Sequence, residues 1–347
     1  MSTPQDFDPD NLGRLLRSFA GRPLPLNLDS RLPQLMRALQ GDHLDVLPLP
    51  GQGRTLQRWQ TLARVAACDL GLAKLYEGHT DALAILAECS ATHLAGAGIW
   101  GVWAAEVPGA RVQIQRHDGD QVRLSGRKAW CSGALQINRA LLTAWDDDQG
   151  PQLVAIDLSH PSLRIVSDNW QAVGMAATAS VTLEFNDSPA WRVGQPGQYL
   201  SRPGFWHGGG GIAACWYGAA QALGDYLHER CRQPRQDAHA DAHLGAVDTA
   251  LYGARAALRE CAAWIDRQAS ADASLEVRRV RAQVESAANT VIEHVGRALG
   301  ATPYCQNSHF ARLMADLPVF LRQSHAEKDL AALGQQLAGD PAGDWWL

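Results

Sequence analysis

The chain has 347 residues, of which 46% are hydrophobic and 19% are charged, and its formal net charge is −5. This composition is typical of a globular protein with a large core, and it offers no basic run for nucleic acid or an anionic membrane surface. No apolar stretch reaches the roughly 18 residues of a membrane-spanning helix, and the first residues lack the basic start and apolar segment of a secretory signal. We therefore expect a cytoplasmic protein without a membrane span, with two or three domains or one large multi-layered unit.

The first part of the chain, residues 1–99, is predicted to be a helical domain. Apolar side chains recur at helical spacing from Leu56 to Leu70 and from Leu83 to Leu94. The pattern changes near residue 100, where short runs of alternating apolar and polar residues begin and Asp118-Gly119 predicts a hairpin turn. We interpret residues 100–192 as a middle antiparallel β-domain, a barrel or a sandwich.

Helical patterns return after Pro203. Four successive helices are predicted within residues 203–335, the first of them opened by the glycines Gly208 to Gly211, and residues 336–347 form a C-terminal tail. This pattern indicates an up-and-down four-helix bundle. The predicted fold class is α+β, with an N-terminal helical domain, a middle antiparallel β-barrel domain and a C-terminal four-helix bundle.

The densest motif of the sequence is Gly126-Arg-Lys-Ala-Trp-Cys-Ser-Gly-Ala134, which follows a Glu106-x-Pro-Gly109 turn. An isoalloxazine ring needs a flat aromatic neighbour and a short hydroxyl near its N5 edge, and Trp130 and Ser132 would supply both from one strand end. This order of motifs resembles the middle domain of the acyl-CoA dehydrogenase family, where the flavin of FAD lies against the strand ends.

Further segments extend the resemblance over roughly residues 60–335. They are Val173-Gly-Met-Ala-Ala-Thr-Ala-Ser180 with the strand after it, Gly218-Ala-Ala-Gln-Ala222, Gly300-Ala-Thr-Pro-Tyr304 and Leu313-Met-Ala-Asp316. The resemblance implies the family's α–β–α architecture and a flavoprotein oxidoreductase with noncovalently bound FAD. It also implies a homodimer or homotetramer, in which a neighbouring subunit completes the FAD site.

The resemblance further implies which residues hold the cofactor. They are Trp130, Ser132, Ala104, Ala105, Thr178, Arg232, Arg235 and Gly300. The first five would lie at the flavin, and the turn at the last would contact the adenosine half. Either of the two arginines, which follow the first bundle helix, would reach a neighbour's FAD pyrophosphate, because guanidinium forks suit phosphate oxygens.

The sequence departs from the family at the catalytic positions. The family's base is a glutamate that removes the α-proton of an acyl thioester while the β-hydride passes to flavin N5. Its usual place, after the Arg-Asp segment, holds Ser324, which cannot act as a carboxylate base. Its other place, at the start of the first bundle helix, holds His207 and four glycines, and Ala176 replaces the arginine of the Gly-Met-Arg segment.

Three side chains near these places are candidates for proton transfer. His325 has an ordinary pKa suited to proton transfer near neutrality, and on a helix it would share a face with Asp329. Glu327 would need burial to raise its pKa. His207 is predicted to lie in a loop that faces the flavin. The alternatives are a solvated helix end for the first two candidates and packing against a neighbouring tryptophan for the third.

Three functions are consistent with these residues. The main prediction is an FAD-dependent enzyme that oxidises the Cα–Cβ bond of an acyl thioester, or of a similar apolar carbonyl compound, and passes electrons to a flavoprotein. The first alternative is a flavin-dependent monooxygenase on the same fold, for which oxygen is the electron acceptor and no α-proton base is needed. The second is a binding or assembly subunit that has lost its chemistry.

Overall fold

A computed structural model describes residues 7–20, 31–166, 170–234 and 237–339. The chain divides into two compact units. The barrel unit consists of residues 1–47 and 71–205, and the bundle unit consists of residues 48–70 and 206–347. The domain ranges expected from the sequence remain a prediction.

The described residues form helices and strands that alternate in blocks along the chain. The helices are α1 (Pro9–Ala20), α2 (Arg31–Gly41), α3 (Thr55–Cys68), α4 (Leu70–Glu88), α5 (Gln198–Ser201), α6 (Gly204–Cys231), α7 (Ala238–Arg267), α8 (Ser274–Leu299), α9 (Ala301–Gln306), α10 (Ser308–Phe320) and α11 (Glu327–Ala338). The strands are β1 (Trp100–Trp103), β2 (Val112–Asp118), β3 (Gln121–Cys131), β4 (Arg139–Asp146), β5 (Gly150–Asp157), β6 (Leu163–Val166) and β7 (Val181–Val193).

The bundle unit contains the long helices predicted from the sequence, as α6, α7, α8 and α10. α7, α8 and α10 each bury one apolar face, as expected from spacings of three and four residues. On α8 the buried side chains include Val277, Val280, Val284, Val291 and Val295. In the part of the chain that the structure describes, no helix combines the length and the apolarity needed to cross a membrane.

The glycines of α6 lie inside the helix and do not open it. The helix begins at Gly204, so the predicted start at Gly208 is wrong. A Cβ atom at Gly210 would lie 2.4 Å from the ring atom Cζ2 of Trp59, and one at Gly218 would lie 2.0 Å from the carbonyl oxygen of Ala63. Glycine weakens a helix by about 1 kcal/mol per residue, but here its missing side chain lets α3 approach α6 closely.

The strands of the barrel unit close into a ring. β4, β2, β3, β7 and β5 pair in that order, and β5 pairs with β4 again. β6 pairs with β7, and β1 pairs with β4. The predicted Asp118-Gly119 turn joins β2 to β3 in an antiparallel hairpin, with Gly119 at a φ of +61°.

The predicted barrel is present, but the expectation of antiparallel pairing is wrong for two of its strand pairs, which are parallel. β1 pairs in parallel with β4 along its whole length, and β2 pairs in parallel with β4 between Gln113 and Trp145. These neighbours in the sheet are not consecutive in the chain. A parallel pair needs a crossover connection, and here the β2–β3 hairpin lies within the connection between β1 and β4.

A buried histidine joins three segments of the barrel unit. His79 on α4 is 1% exposed and Asp45, after α2, is 5% exposed. The backbone N–H of Trp100 donates to His79 Nδ1 over 3.1 Å, and His79 Nε2 lies 2.9 Å from Asp45 Oδ2. Since Nδ1 accepts a hydrogen bond, Nε2 carries the proton and donates a hydrogen bond to the carboxylate.

Replacing His79 by phenylalanine should lower the free energy of unfolding by about 3 kcal/mol, because the change leaves a buried carboxylate and a buried N–H without partners. Urea denaturation measures the loss. The matched control is His93→Phe, at an exposed position of the same unit. Equal effects of the two substitutions would show that the buried contacts contribute little to stability.

Candidate functional site

The end of β3 carries an exposed tryptophan on an unusual backbone. Trp130 has a φ of +58° and is 61% exposed. The register of β3 against β7 shifts between Lys128 and Cys131, which leaves Trp130 outside the ladder. A left-handed backbone at a bulky residue costs about 1–3 kcal/mol and persists only where the surroundings impose it. The irregularity therefore holds an indole ring at the surface of the barrel unit.

Ser132 follows in a turn whose backbone is held on both sides. Its N–H donates to the carbonyl of Trp130 over 2.9 Å, and its carbonyl accepts from the indole Nε1 of Trp103 over 3.0 Å. The N–H of Gly133 donates to the carbonyl of Thr178 over 2.7 Å. Gly133 has a φ of +77°, and a Cβ atom there would lie 2.4 Å from a leucine methyl group, so this position requires glycine.

Three hydroxyl groups form a chain behind this turn. Ser132 Oγ lies 2.9 Å from Ser180 Oγ, and Ser180 Oγ lies 3.1 Å from Thr178 Oγ1. Thr178 Oγ1 donates to the carbonyl of Met175 over 2.7 Å. Thr178 is 1% exposed and Ser180 is 7% exposed. The structure thus joins the predicted Ser132 and Thr178 through Ser180, a residue that the sequence motif contains but does not single out.

The loop after β1 contains Ala104, which is partly buried, and Ala105, which is exposed. A buried lysine holds this loop. Lys128 Nζ donates to Glu106 Oε1 over 2.9 Å, to Thr143 Oγ1 over 2.7 Å and to the Thr143 carbonyl over 3.2 Å. The Thr143 hydroxyl donates to the same carboxylate oxygen over 2.5 Å. The loop that carries the two alanines is therefore tied to the barrel interior.

The two charged groups of this network have shifted pKa values. Burial lowers the pKa of Lys128, and the hydrogen bond and charge of Glu106 oppose that effect. Burial acts to raise the pKa of Glu106, but hydrogen bonds from Thr143 and Lys128 outweigh it and hold the pKa below its ordinary value of 4.5. Glu106 is therefore a carboxylate at neutral pH and acts as an anchor for the loop.

The loop has a second anchor at its far end. The guanidinium of Arg111 lies 4.3 Å from the centre of the Trp145 ring, within the range of a cation–π contact. The indole Nε1 of Trp145 donates to Glu106 Oε2 over 3.2 Å, and the carbonyl of Arg111 accepts from the N–H of Arg127 over 3.1 Å. The turn from Val107 to Ala110 lies between the two anchors.

The sequence contained a signal for the buried lysine. Val122, Leu124 and Lys128 occupy the same phase of the β3 alternation, and all three are buried. A charged residue on the inward phase of a strand requires a partner inside the sheet. The partner, Glu106, lies in a loop 22 residues earlier, where strand alternation gives no information.

The predicted catalytic positions that follow α10 lie in the bundle unit. Ser324 is 8% exposed, and its hydroxyl accepts from the N–H of Ala326 over 3.1 Å. The His325 side chain is 74% exposed, with Nδ1 3.5 Å from Asp329 Oδ1. Glu327 is exposed and is the first residue of α11, so His325 precedes the helix. The backbone N–H of His325 donates to Asp329 Oδ2 over 3.0 Å.

His207 lies within α6 and is 3% exposed, so the predicted loop position is wrong. The helix begins at Gly204, three residues before His207. It continues through the glycines, which remain helical where they pack against α3. In the bundle unit this histidine is a buried helical residue.

The predicted phosphate-binding and adenosine-binding positions are also in the bundle unit. Arg232 lies 3.7 Å from Glu229, and both side chains are about 70% exposed, so this pair adds little stability. Gly300 has a φ of +64° and joins α8 to α9. Arg235 lies outside the described residues.

Solved structures of three enzymes share the fold of this chain. A nitrososynthase from Micromonospora carbonacea var. africana matches it with a TM-score of 0.78 and 18% identity, over 95% of this chain and 94% of the other. A methanesulfinate monooxygenase from Pseudomonas fluorescens matches with a TM-score of 0.75 and 18% identity, over 96% of each chain. A dibenzothiophene monooxygenase from Paenibacillus sp. A11-2, solved with FMN and indole, matches with a TM-score of 0.73 and 18% identity, over 94% of this chain and 95% of the other.

No protein-family model and no curated protein matches the sequence. At 18% identity, the matches establish the fold of the chain and not its chemistry. That fold combines N-terminal helices, a small barrel and C-terminal helices, which is the order that the resemblance to acyl-CoA dehydrogenases implies.

Proposed function

We propose that this chain is an enzyme, a flavin-dependent monooxygenase that uses reduced FMN and molecular oxygen on a small apolar substrate. The observation that carries the proposal is the match over 94–96% of the chain to enzymes that include two named monooxygenases, one of them solved with FMN. This finding favours the monooxygenase alternative over the dehydrogenase, and it favours FMN at least as much as FAD.

The strand end of the barrel unit fits an isoalloxazine ring. Trp130 offers an exposed indole face for stacking, and Ser132 places a hydroxyl beside it on a fixed turn. Ala104 and Ala105 would border the ring with small side chains on a loop that Glu106 and Lys128 hold in place. When bound, the reduced flavin supplies the two electrons that oxygen activation requires.

The absence of a carboxylate at the family's position for the base also supports oxygen chemistry. Dehydrogenation of an acyl thioester needs a base that removes an α-proton, and Ser324 has no carboxylate. Glu327 is an exposed side chain at the start of α11. Transfer of an oxygen atom to a heteroatom or an aromatic ring needs no α-proton base.

Proton transfer by His325, with Asp329 Oδ1 3.5 Å from its Nδ1, remains a prediction. The assembly as a homodimer or homotetramer remains a prediction. The pyrophosphate contact expected of Arg232 belongs to the FAD alternative, because FMN carries a single phosphate.

The test of this function is the fate of labelled oxygen. The protein is loaded anaerobically with reduced FMN, then mixed with ¹⁸O₂ and a panel of planar heteroaromatic compounds and thioethers. We expect one labelled atom in the product and the other in water, with the two electrons of the reduced flavin and two protons completing the balance. Mass spectrometry of the product measures the incorporation.

Two outcomes would contradict the proposal. Anaerobic bleaching of bound oxidised flavin by an acyl thioester would establish the dehydrogenase. If the protein binds neither FMN nor FAD in either redox state, the remaining interpretation is a binding or assembly subunit without chemistry. His325→Gln is the matched variant, and we expect it to lower the rate of product formation while the affinity for flavin stays unchanged.

A further inference from the structure

The hydroxyl chain behind Ser132 has one orientation that satisfies all its hydrogen bonds. The carbonyl of Met175 has no proton, so the Thr178 hydroxyl donates its single proton there over 2.7 Å. The contact of 3.1 Å between Thr178 and Ser180 then requires Ser180 to donate. The contact of 2.9 Å between Ser180 and Ser132 in turn requires Ser132 to donate. Three hydroxyl protons thus serve three hydrogen bonds, all directed inward.

Reversing the chain would break a bond between buried groups. If Ser132 donated outward, its hydrogen bond with Ser180 would survive only with Ser180 as the donor. Ser180 has a single proton, so its hydrogen bond to Thr178 would then be lost. Thr178 and Ser180 are almost fully buried, so water does not replace that bond. The three hydroxyl groups therefore present the lone pairs of Ser132 Oγ to a ligand at the end of β3.

We propose that Thr178 and Ser180 are positioning residues that make Ser132 a hydrogen-bond acceptor, so that the site binds reduced flavin more tightly than oxidised flavin. The inference rests on the proposed function, because it assumes that the flavin N5 edge lies at Ser132. Two-electron reduction adds a hydrogen to N5, which converts an acceptor atom into an N–H donor. If Ser132 Oγ accepts, it can form a hydrogen bond with the N5–H of reduced flavin. It then has no proton to donate to N5 of oxidised flavin.

The expected preference is about tenfold in the dissociation constant. For a two-electron couple, a tenfold ratio corresponds to about 30 mV, so the midpoint potential of bound FMN should be about 30 mV more positive than that of free FMN. Anaerobic equilibrium dialysis of oxidised and dithionite-reduced FMN measures the ratio directly in the wild type. Spectroelectrochemistry measures the potential independently, and neither readout requires turnover.

Two substitutions remove the inward direction of the chain. Thr178→Val keeps the shape of the side chain but takes away the acceptor of Ser180, whose proton then goes to Ser132 and turns that hydroxyl outward. Ser180→Ala leaves the Ser132 hydroxyl with no inward acceptor. We expect the ratio of the two dissociation constants to fall about tenfold, to near one, in both variants.

The matched control is Ser188→Ala, on β7, the strand that follows Ser180. Ser188 is fully buried, accepts from Ser162 Oγ over 2.9 Å and donates to the Ser162 carbonyl over 3.2 Å. This variant loses a buried serine hydroxyl from a hydrogen-bonded pair elsewhere in the barrel, and its ratio should equal that of the wild type.

The outcomes separate the inference from the function on which it rests. A wild type that binds both redox states equally, or variants that bind flavin with an unchanged ratio, would overturn the role of the hydroxyl chain and leave the monooxygenase proposal intact. A wild type that binds neither state would overturn the proposed function itself. A ratio that falls equally in Ser188→Ala would assign the effect to barrel stability.

Discussion

Replacing Glu106 by leucine should lower the free energy of unfolding by about 3 kcal/mol, because it leaves the buried ammonium group of Lys128 without an ionic partner. The side chain of Lys128 is 1% exposed, and Glu106 is its ionic partner in the barrel unit. The two contacts with Thr143 remain after the substitution, but they carry no charge to balance the ammonium group. Chemical denaturation of the two proteins at neutral pH measures the difference.

The reverse substitution, Lys128→Met, should cost less than half as much. The Glu106 side chain is 39% exposed, so its carboxylate returns to water when the lysine is removed. The double variant, which lacks both charges, should be more stable than Glu106→Leu alone. A double-mutant cycle in which the two single variants are equally destabilised, and the double variant is the sum of both, would show that the pair is not coupled.

The same pair gives a pH dependence with a definite sign. The folded state holds the pKa of Glu106 below 4.5, so the unfolded chain binds more protons in the window just below that value. The contribution of Glu106 to stability is therefore present above pH 4.5 and is lost as the pH falls through the lowered pKa of the folded state. We expect the stability difference between the wild type and Glu106→Gln to be constant near neutrality and to shrink below pH 4.5, as measured by thermal melts.

The second large effect concerns flavin affinity. Trp130→Gly should weaken FMN binding about 10-fold to 100-fold, because stacking of a planar ring on an aromatic side chain contributes about 1–3 kcal/mol. The same substitution should raise the free energy of unfolding by about 0.5–1 kcal/mol, since glycine adopts a positive φ without strain. Opposite signs for binding and stability distinguish a ligand-binding tryptophan from a structural one.

Ser90→Gly is the control for the backbone effect. Ser90 is exposed, has a φ of +56° and lies just after α4 in the same unit. We expect this variant to gain a similar stability with no change in FMN affinity, measured by equilibrium dialysis. If the Trp130→Gly protein keeps wild-type affinity for FMN, or is less stable than the wild type, the indole of Trp130 is not part of the flavin-binding site.

Local patterns account for the parts of the fold that the sequence predicted. Apolar spacing within one helix defines the buried face of α8, and the Asp118-Gly119 pair needs only its own backbone preferences to form the turn between β2 and β3. The start of α6 was placed wrongly because glycine normally interrupts helices. Its tolerance here depends on Trp59, a residue about 150 positions earlier whose ring occupies the missing side-chain space at Gly210.

Long-range contacts account for what the sequence left out of the candidate site. The motif identified Trp130 and Ser132, but the partner that orients Ser132 lies 48 residues away. The parallel pairing of β1 with β4 likewise depends on how the barrel closes. Such contacts leave no periodic trace in the chain, because the partners lie far apart in the sequence.

The doubly anchored loop after β1 has a practical consequence for engineering. Its fixed points are Glu106 and Arg111, and the turn between Val107 and Ala110 ends in solvent, where a Cβ on Gly109 would meet no atom within 4 Å. Extra residues inserted at Gly109 would extend outward without moving either fixed point. The turn is thus a place for a peptide tag or a fluorophore that would report on the strand-end site from nearby.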